Sequence, residues 1–103
     1  MTDAAGTTAV SLVGMGWYRP EDWERLLQVV SDRGRLHDSY AEWLAEAEWA
    51  ERNVSATGHR VVRVFVDPDE LAGWCLVRGR APDAAARAEF VTDKMGRGEP
   101  PRQ

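Results

Sequence analysis

The sequence predicts a mostly helical α+β domain: four helices packed on a small one- or two-stranded sheet, in the order (β)-α-α-β-α-α. Three observations predict it. Apolar residues recur at helical spacing in four segments, each opened by an N-terminal signal. One run, His59 to Val66, is dense in Val and Phe and reads as a strand. The chain has 103 residues, enough for one domain with a single core.

Residues 1–8 are small and polar and read as a disordered leader, followed by a globular domain over 9–95. Ala9 to Met15 is short and apolar and suits a strand, after which Gly14 and Gly16 loosen the backbone. Pro20 fits the first position of a helix over 20–33, with Glu21 and Asp22 in the first turn where the helix dipole favours acids. Trp23, Leu26, Leu27 and Val30 form its stripe, and Gly34 offers the left-handed residue that closes a helix.

Ser39-Tyr-Ala-Glu42 is a capping box, so a second helix runs to about Val54. Its inner face is Tyr40, Trp43, Leu44, Ala47, Ala50 and Val54, and Trp49 lies opposite. The Val-rich segment 59–66 carries apolar residues on both faces, so it reads as a covered strand. Asp67-Pro-Asp-Glu70 opens a helix over 68–78, lined by Leu71, Trp74, Cys75 and Arg78 and closed by Gly79. Pro82 opens the last helix, over 82–95, with Ala84, Ala85, Ala88, Val91 and Met95 as its small-residue face. Residues 96–103 hold two Gly and two Pro and read as a disordered tail. So short a sheet needs helices on both faces, or a second copy of the chain to extend it.

Composition excludes several classes. Net charge is −4, which disfavours non-specific binding to nucleic acid or anionic lipid. The charge is uneven: residues 1–58 hold five Arg against ten acids, and residues 71–103 hold six basic residues against four acids. One cysteine, Cys75, permits no intrachain disulfide, so a reducing, cytoplasmic setting is expected. No apolar run approaches the roughly 18 residues of a membrane span.

Sites with chemistry are sparse. Gly14-Met-Gly16 sits where a dinucleotide-binding loop would begin. The fingerprint needs a small residue at position 19, where this chain has Arg19, and a second strand where a second helix follows. His37, Asp38, His59, Asp67, Asp69 and Cys75 are the only collection that could hold a metal, and none has the short spacing of a zinc motif. Cys75 lies between Trp74 and Leu76 and reads as an inert core thiol. No catalytic residue, cofactor or metal is expected. Glu42, Glu46, Glu48 and Glu51 are spread around the second helix and read as its solvated surface.

Two surfaces are left. Five tryptophans are unusual in a chain this short; Trp17, Trp23, Trp43 and Trp74 are expected to meet in one core, and Trp49 is not. Trp is a favoured interface anchor, so Trp49, with Trp17 and Tyr18, is the candidate interaction site. Arg78, Arg80, Arg87 and Lys94 give the last two helices a basic tint, and a helix-turn-helix there would use them on nucleic acid. The last helix lacks residues at its start that would read base edges.

The runs Gly14-Met-Gly-Trp-Tyr-Arg-Pro-Glu-Asp-Trp23, Ser39-Tyr-Ala-Glu-Trp43, Val64-Phe-Val-Asp-Pro-Asp-Glu-Leu71, Trp74-Cys75 and Ala86-Arg87-Ala-Glu-Phe90 resemble a group of small uncharacterised bacterial proteins. The likeness spans residues 14–92. It implies one compact domain and carries no activity, so no residue inherits a role from it. The expected function is a non-catalytic protein-binding or assembly module that self-associates. The alternatives are a nucleic-acid-associated regulator using the C-terminal helix pair and, last, a small enzyme.

Overall fold

Two strands, far apart in sequence, lie side by side and parallel. In the computed structural model, which describes residues 11–96, β1 (Leu12–Trp17) pairs with β2 (Arg60–Phe65) in register from Leu12 opposite Arg60 to Trp17 opposite Phe65. The expected leader and tail, and the start of the expected first strand, lie outside the described residues. Parallel pairing demands a crossover, and two helices supply it. They are α1 (Trp23–Val29), entered through a 3-10 turn at Pro20–Asp22, and α2 (Tyr40–Ala56). After β2 come α3 (Pro68–Val77) and α4 (Ala84–Gly96). The α+β class and the order β-α-α-β-α-α are those the periodicity predicts.

Local chemistry sets the helix ends. The Ser39 hydroxyl accepts from the Glu42 N–H at 3.1 Å, and the Asp67 carboxylate accepts from the N–H groups of Asp69 and Glu70. Asp83 caps α4 by accepting from the Ala86 N–H, so the helix begins after Pro82 rather than on it. Gly79, at φ +64°, closes α3: its N–H bonds the Leu76 carbonyl while the Arg80 N–H bonds that of Cys75.

The helices cover both faces of the sheet, which is how two strands suffice. Gly14 and Gly16 face α4, where a Cβ on Gly14 would fall 2.1 Å from the Met95 sulfur and one on Gly16 3.2 Å from Val91. The glycines therefore lie within the strand and admit a helix, where a loosened turn was expected. On the opposite face, Trp17 packs edge-on against Trp43 of α2, with ring centroids 5.3 Å apart. Lys94 of α4 reaches the edge of the sheet, where its ammonium donates to the Phe65 carbonyl at 3.3 Å.

The core holds Trp17, Tyr18, Trp23, Leu26, Val30, Trp43, Ala47, Val64, Val66, Leu71, Cys75, Ala86, Phe90 and Val91. Two expectations fail in it. The first helix stops at Val29, because Val30 turns extended and the Ser31 N–H leaves to bond the Pro82 carbonyl; Gly34 falls in a separate 3-10 turn, Arg33–Arg35. The buried face of α4 is Ala86, Arg87, Phe90 and Val91, while Ala84, Ala85 and Ala88 are exposed. Arg87 points inward beside Ala86 and Phe90 and meets Asp32, just past the end of α1.

Candidate interaction surface

Around the core, polar side chains are consumed by one another. Arg87 is 9% exposed and donates from both terminal nitrogens to Asp32, at 2.7 and 3.1 Å. That guanidinium holds the Asp32 carboxyl below its usual range, and burial pushes the Tyr18 phenol up. On the far side of the sheet, Arg63 grips Glu51 with two bonds of 2.8 Å and lies 3.9 Å over the Trp17 ring. Arg63 likewise holds Glu51 below its ordinary value.

The tryptophans separate into three environments. Trp17, Trp23 and Trp43 join Tyr18 and Tyr40 in one aromatic cluster, and the Tyr40 hydroxyl donates to the Tyr18 carbonyl at 2.9 Å. Trp74 is not among them. It stands edge-on to Phe90, and its indole N–H donates to Asp93. Trp49 lies outside altogether, 61% exposed on the outer side of α2. Of the three aromatic candidates for an interaction site, Trp49 is at the surface; Trp17 and Tyr18 are buried and present no face to a partner.

The basic candidates are likewise occupied. Arg87 is withdrawn into the core. Arg80 bonds Glu89 at 2.6 Å, and Lys94 bonds Glu70 at 3.2 Å. Arg78 lies 4.2 Å over the Trp74 ring and donates to the Trp74 carbonyl. The Arg80–Glu89 and Lys94–Glu70 pairs tie α3 and α4 into an antiparallel hairpin, with a shallow groove of about 450 Å³ between Trp74, Arg78, Glu89 and Thr92.

The reactive candidates stay apart. Cys75 is buried, and burial raises its thiol, which suppresses the thiolate a nucleophile needs. His37 bonds Glu46, and His59 is exposed at the mouth of β2. Among the described residues no group of three or more His, Cys, Asp or Glu could hold a metal, and no helix is long and apolar enough to cross a membrane.

The surface feature the sequence reading missed is on α3. Leu76 is 81% exposed and Val77 83%. Leu71 and Cys75 of this helix face the core, while Gly73, Leu76 and Val77, spaced i, i+3, i+4, line the outside beyond the acidic first turn of Asp69 and Glu70. The signal was present in Leu-Ala-Gly-Trp-Cys-Leu-Val, but one inward stripe accounted for enough of it to hide the second. Comparison with protein-family models, with curated proteins and with solved structures returns no match.

Proposed function

We propose that the chain is a non-catalytic assembly module that binds protein through the outer face of α3, with Trp49 as a second exposed anchor. One observation carries this reading: two adjacent large apolar side chains, each more than four-fifths exposed, on a helix whose inner face is already filled. Burying each would contribute about 1.5–3 kcal/mol, a driving force that solvent exposure leaves unused. The nucleic-acid alternative draws no support from Arg80, Arg87 and Lys94, whose charges answer carboxylates of the same chain. A single buried thiol suits a reducing compartment.

The test compares what wild type and Leu76→Lys retain when each is used to capture proteins from native extract. The side chain is exposed, so the variant should keep the wild-type melting temperature. The reading expects captured species, this chain included, that are lost with the lysine. An identical captured set from both proteins ends it.

A further inference from the structure

We infer that the free edge of β1 receives an extended, uncharged peptide segment of a partner protein, which adds to the sheet as a third strand. The site is separate from the outer face of α3 and stands or falls without it.

Backbone geometry identifies the edge. The Arg60 N–H bonds the Ser11 carbonyl and the Val66 N–H bonds that of Trp17. Odd-numbered residues of β1 and even-numbered residues of β2 therefore turn their peptide groups towards each other. The peptide groups of Leu12, Gly14 and Gly16 point the other way, out of the sheet. The Tyr18 carbonyl confirms the direction, because the Tyr40 hydroxyl reaches it from outside at 2.9 Å. Among the described residues nothing takes the N–H or C=O of Gly14 or Gly16. Beside them lies a groove of about 360 Å³, walled by Val91 and Thr92 of α4 and by Leu36 and Trp43.

The two edges of the sheet differ. At the β2 edge the outward Phe65 carbonyl is taken by the Lys94 ammonium, and a lysine on an edge deters strand addition. β1 holds no charged residue from Leu12 to Trp17. The groove's chemistry then sets its occupant. Gly14 and Gly16 each offer one donor and one acceptor, repeated after about 6.6 Å, the spacing at which alternate residues of an extended chain present theirs. The cation in the wall, Arg87, is already neutralised by Asp32, so a charged segment would enter without a counter-charge. A second copy of β1 is a poor fit, since two edges that each lie within a groove are held apart by their own walls.

The experiment pans a displayed library of random octapeptides against the full chain, then follows a synthetic selected peptide by amide NMR. Binding should slow hydrogen exchange at Gly14 and Gly16 by about tenfold or more. N-methylation of the peptide nitrogens facing β1 should weaken binding about tenfold or more, and N-methylation of the alternate nitrogens should leave it within about twofold. Ala88 lines the groove and is exposed, so Ala88→Trp should melt as wild type yet bind about tenfold more weakly or worse. Leu76→Lys should bind as wild type. A selection without binders overturns the inference, as do peptides indifferent to Ala88→Trp or to the position of N-methylation. Binding lost with Leu76→Lys alone moves the contact to α3 and overturns it too. Protection of Gly14 and Gly16 that grows with protein concentration, without peptide, assigns the edge to a second copy and overturns the peptide occupant.

Discussion

Arg87 and Asp32, 55 positions apart, close a two-pronged ion pair that fastens α4 to the segment leaving α1. Both side chains are largely buried, at 11% and 15% exposure, so neither charge can be stranded cheaply. Arg87→Met or Asp32→Ala should each destabilise the fold by about 3 kcal/mol, read from urea unfolding. The double variant should cost less than the sum, because it leaves no buried charge unpaired.

The same pair gives a sign for pH. Arg87 holds the Asp32 carboxyl below its unfolded value, and Arg63 does the same to Glu51. Both contributions are therefore complete above the ordinary carboxylate range and are lost as pH falls through and below it. Melting temperature should drop between pH 6 and pH 3, a window set by ordinary carboxylate values of about 4. Asp32→Asn should flatten that drop while lowering the plateau.

Gly14 and Gly16 make a prediction about space. A methyl at Gly14 meets the Met95 sulfur, and one at Gly16 meets Val91. Gly14→Ala should cost about 1–2 kcal/mol, since the methionine can swing aside only in part. Gly34→Ala, which meets nothing within 4 Å, should fall within about 0.5 kcal/mol of wild type.

The tryptophans should be separable by quenching and by truncation. Trp49→Ala should leave stability within about 0.5 kcal/mol and remove most of the fluorescence accessible to acrylamide. Trp43→Ala opens the aromatic cluster and should cost about 3–5 kcal/mol.

Cys75 should behave as a core thiol. Labelling by a maleimide at neutral pH should be slow in the folded protein and fast in urea, because burial suppresses both access and ionisation. Fast labelling of native protein would contradict that placement.

The legible part of this fold was its periodicity. Ser39, Asp67 and Gly79 marked helix ends correctly because capping is decided within four residues of chain. Helical arithmetic alone put Trp49 opposite its helix's apolar stripe, but whether a neighbouring segment covers it depends on the fold, which leaves it exposed. What could not be read was long-range compensation. Arg87 looked like a solvent-facing charge until Asp32 was found beside it, and that error turned α4 to its wrong side. Gly14 and Gly16 looked like loop residues because the helix that needs their missing side chains comes some eighty positions later. The surface was only half legible: Trp49 broke a stripe, while Leu76 and Val77 merely extended an apolar run beside the stripe of Leu71, Trp74 and Cys75 and gave no sign of their exposure.

Parallel pairing of β1 with β2 has a consequence for how this chain reaches its native state. Leu12 meets Arg60 and no hairpin links them, so the ladder has no local nucleus. Loop-closure entropy must be overcome before the first rung forms, and it becomes affordable only once α1 and α2 have shortened the intervening chain. A fragment ending before β2 would therefore lack any partner for β1.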